Sequence, residues 1–411
     1  MLDNVIFIYD ANLCNTTLCN TNLCIQKGCC IFAENIAFME KPFVFGVPAD
    51  DMHFIGREKE IERLSANFKY GVNTVLMSPR RWGKTSLVNK VAGLAKAKDK
   101  IIVRMDIFAC RSEYDFYNTF SAEILKQASS KFEEWAKLAK GFIERLSPKI
   151  SVNPDHTAEY SVSLGITPKT HTPEEILSLP QKIAERKKCD IIICIDEFQQ
   201  IGEFPDSLSI QKKLRTVWQG QKNVCYCLYG SKMHMMMNLF QRKSYPFYRF
   251  GETLNLKPIP LEIWIPYIRS RFESFGKKIS DSLIEKLCMT VDYQASYVQQ
   301  LAYSILLQTK DVADDVTLKA GVDDLISQTC GAFIEQTKSL TSYQMNFLRA
   351  VIDGISNGFG EASIRENYGL GSASNIARLR QALLDKELIE VTESGVIIGD
   401  PVLKLWLNKI V

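Results

Sequence analysis

The chain has 411 residues, enough for two or three domains, and its 46% hydrophobic and 24% charged residues are typical of globular proteins. A net charge of only +3 excludes a global field for nucleic acid or anionic membranes, so such binding would need a local basic patch. No apolar run approaches the ~18 residues of a membrane span, and the start, with Asp3 and no basic segment, is a poor signal peptide. We therefore expect a cytoplasmic protein without membrane insertion.

Cysteines are concentrated at the start of the chain. Five of the twelve fall in the first thirty residues, at Cys14, Cys19, Cys24, Cys29 and Cys30. Their spacing matches no zinc-ligand pattern. We interpret residues 1–38 as a poorly ordered, Cys-rich leader and expect the first domain to begin at residue 39.

Strands and helices alternate between residues 39 and 260. The apolar runs that predict buried strands are 72–77, 101–108, 190–198 and 224–231. The segments that predict helices are the end of 43–68, the part of 78–97 that follows a glycine-containing turn, 113–146, 173–187 and 209–219. The sequence at about 149–166 alternates with a period of two residues, which predicts an inserted hairpin. This alternation of strands and helices predicts an α/β fold with a parallel sheet and helices on both faces.

Strand patterns stop after residue 260. Residues 261–338 read as helices and predict a helical lid domain. Residues 339–411 predict a winged helix, with helices at 342–356, 361–368 and 374–386 followed by two short strands.

The segment after the first strand carries the strongest motif. Residues 78–86 read SPRRWGKTS, which fits the P-loop pattern GxxxxGK[ST] except that Ser78 replaces the first glycine. Such a loop holds phosphate with backbone N–H groups at a helix N-terminus. We expect Lys84 to reach the β- and γ-phosphates and Thr85 to bind Mg²⁺. The predicted nucleotide-binding residues here are Ser78, Pro79, Arg80, Arg81, Trp82, Gly83, Lys84, Thr85 and Ser86. Whether the two arginines contact phosphate, a partner subunit or solvent stays open.

Two acids end the most apolar strand, at Asp196 and Glu197. In a P-loop ATPase, a strand of this kind lies beside the phosphate loop. We expect Asp196 to hold Mg²⁺, usually through water, and Glu197 to act as the general base on the attacking water. Taken alone, such acids are as compatible with a capping or solvated role.

The sequence FIGRE at residues 54–58 resembles the entry segment of AAA+ ATPases, and PRRWGKTSL resembles the phosphate loop of their archaeal-type branch within the STAND group. The resemblance covers about residues 40–411. It implies ATP and Mg²⁺ as cofactors and Ile55 and Gly56 as contacts of the adenine.

The same resemblance assigns two further residues. Ser231 ends a strand similar to the family's sensor strand and is the implied γ-phosphate sensor. Arg249 precedes a Leu-x-Pro turn and is implied to contact phosphate or a neighbouring subunit. Because AAA+ relatives often use a neighbour's arginine, a homo-oligomer is a further expectation.

Two functions follow from these features. The first is an ATP-hydrolysing regulatory switch that couples nucleotide state to the winged helix. The alternative is a DNA-binding regulator with weak or vestigial ATPase activity, which would read duplex DNA through Asn375, Arg378 and Gln381 of the predicted recognition helix. The nearby acids Asp385 and Glu387 reduce the positive charge that is expected around a DNA-reading helix.

Overall fold

The computed structural model describes residues 41–96, 100–129, 172–392 and 394–410, together with the backbone of residues 149–151 and 161–163. The predicted leader and the second half of the helix expected at 113–146 lie outside these residues. In the described chain the strands are β1 (Thr74–Met77), β2 (Ile101–Asp106), β3 (Lys149–Ser151), β4 (Ser161–Ser163), β5 (Ile191–Asp196), β6 (Val224–Gly230), β7 (Glu252–Asn255), β8 (Glu390–Thr392) and β9 (Gly395–Ile397).

The helices of the same residues fall into two groups. Those up to residue 260 are α1 (Glu58–Tyr70), α2 (Lys84–Lys96), α3 (Glu113–Gln127), α4 (Pro173–Leu177), α5 (Leu179–Lys187), a 3-10 helix (Phe198–Glu203), α6 (Ser207–Gln219) and α7 (Met233–Gln241). Those beyond are α8 (Leu261–Ser274), α9 (Asp281–Thr290), α10 (Ala295–Gln308), α11 (Asp315–Thr337), α12 (Ser342–Ile352), α13 (Ala362–Tyr368), α14 (Ala373–Asp385) and α15 (Pro401–Ile410).

Five parallel strands of the described chain form the central sheet, in the order β2-β5-β6-β1-β7. The sequence predicted four of them and missed β7. This edge strand has four residues, and half-buried positions alternate with exposed ones. It therefore lacks the continuous apolar run that identifies β5 and β6, whose strands are buried almost throughout.

Hydrophobic cores cover both faces of the sheet. One core joins Val75 and Ile193 to helices α3 to α7. The other joins Leu76 and Ile192 to α1 and α2. Successive residues of a strand point to opposite faces of the sheet. The continuous apolar runs of β1 and β5 therefore contribute side chains to both cores. The predicted P-loop fold, a parallel sheet with helices on both faces, is confirmed.

Three of the segments with predicted chemistry follow the carboxyl ends of central strands. The phosphate loop connects β1 to α2, the two acids end β5, and Ser231 follows β6. Since β5, β6 and β1 are neighbours, these ends meet at one edge of the sheet. Within the segment expected to form an inserted hairpin, β3 pairs antiparallel with β4.

The lid (α8 to α11) and the winged helix (α12 to α15 with β8 and β9) share one hydrophobic core. Its members include Trp264 of α8, Phe347 of α12 and Trp406 of α15. The rings of Phe333 in α11 and Trp406 lie 5.8 Å apart. The core thus crosses the predicted boundary near residue 338 and packs the two regions together. No helix in the described part of the chain is both long enough and apolar enough to span a membrane.

Candidate nucleotide-binding site

A cavity of about 530 Å³ opens at the carboxyl edge of the sheet, between the phosphate loop, residues 44–55 and α10. Most of the predicted site residues line it, namely Ile55, Arg80, Arg81, Trp82, Gly83, Lys84, Thr85, Ser86, Asp196, Glu197 and Ser231. Gly56, Ser78, Pro79 and Arg249 are not among its lining residues. The cavity is large enough for a nucleotide-sized ligand.

Lys84 begins α2 and is only 7% exposed. Its ammonium group donates hydrogen bonds of 2.8 Å to the carbonyl oxygens of Ser78 and Pro79. Burial lowers the pKa of Lys84 to about 8, and the nearby charges of Glu197 and Asp196 oppose this. Ser78 and Pro79 therefore hold the Lys84 ammonium group in place through their carbonyl oxygens. Phosphate oxygens in the cavity would offer this buried cation further counter-charge.

Thr85 and Asp196 bring two hard oxygen donors together. The Thr85 hydroxyl donates a 3.1 Å hydrogen bond to Asp196 Oδ2. Burial raises the pKa of Asp196 to about 6, and the Glu197 N–H, at 2.8 Å from Oδ1, opposes the rise. The described residues contain no cluster of three or more His, Cys, Asp or Glu suited to a metal. A hydroxyl and one carboxylate nevertheless fit Mg²⁺, which completes its shell with water and substrate phosphates.

The carboxylate of Glu197 is fixed by two donors. Its Oε2 accepts a 3.0 Å hydrogen bond from the Ser231 hydroxyl and another from Gln199 Nε2. Ser231 in turn accepts a 3.3 Å hydrogen bond from Arg80 Nε. Glu197 has φ of 52°, in the left-handed region, which costs of order 1–3 kcal/mol for such a residue. The predicted base and sensor are thus in direct contact, at the phosphate end of the cavity.

Both arginines of the loop reach the winged helix. Arg80 pairs with Glu387 at 2.8 Å, and Arg81 pairs with Asp400 at 2.5 Å. The Arg81 guanidinium also lies 4.2 Å from the centre of the Tyr297 ring and donates to its hydroxyl. None of these partners was predicted, because they lie more than 200 residues away in sequence. The arrangement links the phosphate loop to the C-terminal domain.

Arg57 is a site residue that sequence reasoning missed, although it belongs to the FIGRE segment. It is 4% exposed and lines the cavity. Its guanidinium donates to the carbonyl oxygens of Trp82, at 3.0 Å, and Lys257, at 2.6 Å. Arg57 therefore fixes the phosphate loop to the segment that follows β7. The arginine of the motif was the available signal.

Gly56 and Arg249 do not line the cavity. Gly56 has φ of 63°, and a Cβ there would lie 2.8 Å from Ile259 and 2.9 Å from Ile263. It allows close packing of the FIGRE segment against the start of α8. Arg249 is exposed, and its guanidinium lies 5.3 Å from the centre of the Tyr248 ring. Its contact with a neighbouring subunit stays a prediction.

The three predicted DNA-reading residues lie on α14. Arg378 is exposed and donates a 2.8 Å hydrogen bond to Asn375 Oδ1. Asn375 is half-buried and donates to Leu370 O at 3.4 Å. Gln381 donates to Asp385 at 2.8 Å and lines a second cavity, of about 610 Å³, between α7, α11 and the winged helix. One end of the predicted recognition helix thus faces the ATPase domain.

Comparisons with known proteins agree with this geometry. Residues 54–264 match the model of an ATPase domain predominantly from Archaea, and residues 331–409 match that of a probable winged helix domain. Among curated proteins, none matches this chain.

Two solved structures of archaeal proteins have a similar fold. The Walker-type ATPase paby2304 of Pyrococcus abyssi is 17% identical, with a TM-score of 0.63 over 90% of this chain and 100% of that one. The ORC2 protein of Aeropyrum pernix, in ADPNP–ADP complexes, is 14% identical, with a TM-score of 0.54 over 90% and 96%. At these identities the likeness concerns the fold. The match to the ATPase model spans more than half of the chain, and the chain therefore belongs to the family of ATPase domains found predominantly in Archaea, here followed by a winged-helix domain.

Proposed function

We propose that this protein is an ATP-hydrolysing switch, in which the nucleotide bound at the phosphate loop controls the position of the lid and winged helix. One observation carries the proposal: Arg80 and Arg81 of the loop pair with Glu387 and Asp400 of the winged helix. A γ-phosphate in the cavity would compete with these carboxylates for the same guanidinium groups. Binding or loss of that phosphate then changes how firmly the C-terminal body is held.

In the proposed reaction, the N–H groups of the loop and Lys84 bind the phosphates, and Lys84 offsets the charge that develops on the γ-phosphate. Thr85 and Asp196 hold Mg²⁺, which neutralises charge on the phosphate oxygens. Glu197 orients the attacking water and accepts its proton, and Ser231 positions the Glu197 carboxylate. Arg249, which is exposed, is proposed to act on the site of a neighbouring subunit in a homo-oligomer. We also place the chain in the STAND group, on the strength of its FIGRE and PRRWGKTSL segments.

The test is phosphate release from Mg-ATP by the full chain, beside binding of ATP. Glu197→Gln is expected to bind ATP but to lose at least about 100-fold in kcat, since general-base catalysis contributes 10²–10⁴-fold. Lys84→Ala is expected to lose binding. Lys90→Ala, on the same helix but paired with Asp51 at the surface, should retain both activities. A wild-type chain that binds no ATP would overturn the proposal.

The alternative is a DNA-binding regulator with weak or vestigial ATPase activity. The exposed Arg378 on α14 and the match to a winged-helix model support it. We would measure affinity for duplex DNA between 50 and 200 mM salt, because phosphate contacts make binding salt-dependent. Under the alternative, Arg378→Ala weakens binding at least several-fold, whereas Arg269→Ala, on the lid surface, does not. Unchanged affinity in Arg378→Ala would reject a role for this helix.

A further inference from the structure

Part of the cavity wall is apolar. Its apolar members include Val44, Pro48, Phe54, Ile55, Ile259 and Trp264. Gln299 of α10 lies among them and is only 6% exposed. It is one turn along the helix from Ser296, whose N–H bonds to the phosphate-loop carbonyl of Arg81. A buried amide in an apolar wall has to be explained, because an unpaired polar group there costs free energy.

The hydrogen bonds of Gln299 fix the orientation of its amide. Oε1 accepts from the backbone N–H of Val44 and from the hydroxyl of Tyr267, both at 3.0 Å. Because a backbone N–H can only donate, the oxygen must lie on that side. The amide nitrogen is then the end that remains for another partner.

Nothing in the described part of the chain accepts a hydrogen bond from Gln299 Nε2. Some unpaired side-chain atoms of the described residues are fully buried, for example Gln199 Oε1 and Trp82 Nε1. Gln299 Nε2 is not one of these buried atoms. It therefore reaches open space, and the open space beside Gln299 is the cavity. The protein thus holds an oriented pair of N–H donors beside the apolar part of the cavity wall.

We propose that Gln299 reads the nucleotide base, donating from Nε2 to a ring nitrogen on the Watson–Crick edge of adenine. This inference rests on the proposed ATP site. Adenine accepts at N1, where guanine carries an N–H donor. A fixed amide donor at that position therefore accepts adenine and opposes guanine, which would leave two donors facing each other. The apolar wall suits the faces of a planar base.

The choice of variant follows from this geometry. Gln299→Glu keeps an oxygen for Val44 N–H and the Tyr267 hydroxyl, but places an acceptor where the donor was. Gln300→Glu introduces the same charge at the next residue of α10, where Gln300 bonds instead to Gln328 at 3.0 Å. The control separates base reading from a general effect of negative charge near a triphosphate.

The experiment measures the Kd of Mg-ATP and Mg-GTP by calorimetry for the full-length wild type and both variants. We expect the wild type and Gln300→Glu to prefer ATP. In Gln299→Glu the ATP-to-GTP preference should fall by at least about tenfold, because its acceptor suits the guanine N–H. If Gln299→Glu does not fold, Gln299→Met, which lacks the donor, should lose the preference as well.

Two results would overturn the inference, and they are distinguishable. If a Gln299 variant binds ATP and keeps the wild-type preference for ATP over GTP, base reading by Gln299 is rejected and the proposed ATP site stands. A wild type that binds neither nucleotide removes the proposed function, and base reading with it.

Discussion

The carboxylate of Glu197 lies in a chain of hydrogen bonds that includes residues outside the recognised motifs. Arg80 donates to Ser231, and Ser231 and Gln199 both donate to Glu197 Oε2. Gln199 is 1% exposed, and its own Oε1 has no partner in the described part of the chain. It also needs Gly230, where a Cβ would lie 1.8 Å from Gln199 Oε1. The buried Gln199 amide thus has a bonded nitrogen and an unbonded oxygen, which lowers the stability of the fold. Such an unsatisfied group is typical of a functional position.

Gln199→Leu is expected to lower kcat for ATP by about tenfold and to leave KM nearly unchanged. The reason is that Gln199 holds the general base and does not line the cavity, so ground-state binding is spared. Folding should survive, since leucine also removes the unpaired Oε1. Steady-state phosphate release measures the split between kcat and KM.

The matched control is Gln200→Leu, because the Gln200 side chain bonds to Glu203 at the surface, at 3.2 Å. It should leave both constants unchanged. If Gln199→Leu also leaves kcat unchanged, Ser231 alone suffices to position Glu197. A rise in KM without a fall in kcat would point to a role in binding instead.

Local motifs explain which site residues the sequence could predict. A phosphate loop and two acids at the end of a strand are contiguous in sequence, because both use the backbone at the end of one element. Gln299 and Arg57 depend on distant partners: Gln299 bonds to Val44, 255 residues away, and Arg57 to Lys257, 200 residues away. Both bonds use the backbone of the partner, so the sequence does not show which residue the partner is, although the motif arginine itself was a signal for Arg57.

At the scale of elements, the strands with unbroken apolar runs were predicted and the strand without one was missed. β7 pairs with β1 through its backbone, with Thr74 opposite Glu252. Backbone pairing requires no particular side chains, so the sequence does not reveal it. The alternation of half-buried and exposed residues covers only four positions, which is too few to identify a strand. The helices of the lid were predicted as one region, whereas breaks such as that between α9 and α10 come from Asp292 and Tyr293, both at positive φ. Propensity alone does not place such residues in the left-handed region.

The molecule as a whole has two kinds of contact between its parts. The lid and winged helix share a hydrophobic core, whereas the winged helix meets the phosphate loop through ion pairs. Besides the two loop arginines, Lys232 approaches Glu387 at 3.3 Å. Ion pairs with partly exposed members contribute about 0.5–1 kcal/mol each and weaken in salt, while a shared core is costly to separate. We therefore expect the winged helix to stay packed on the lid when its contact with the phosphate loop breaks.

The last prediction concerns this docking. Glu387→Gln combined with Asp400→Asn removes two carboxylate charges from the winged helix and leaves the phosphate loop unaltered. The amide introduced by Asp400→Asn would still offer an oxygen to the N–H groups of Val402 and Leu403, which Asp400 now caps at 2.9 and 3.1 Å. The double variant removes three ion pairs, and losing about 1.5–3 kcal/mol of docking shifts the equilibrium between docked and undocked states roughly 10- to 140-fold.

Small-angle scattering of the nucleotide-free full chain should therefore show a larger radius of gyration for this double variant, and 0.5 M salt should enlarge the wild type in the same direction. The control is Glu252→Gln with Asp281→Asn, which removes two carboxylates whose partners, Arg63 and Arg269, lie within the same body as the acid. It should scatter like the wild type. Equal radii for both double variants would mean that apolar contacts hold the winged helix against the loop, and the switch would then need a stronger trigger than competition for Arg80 and Arg81.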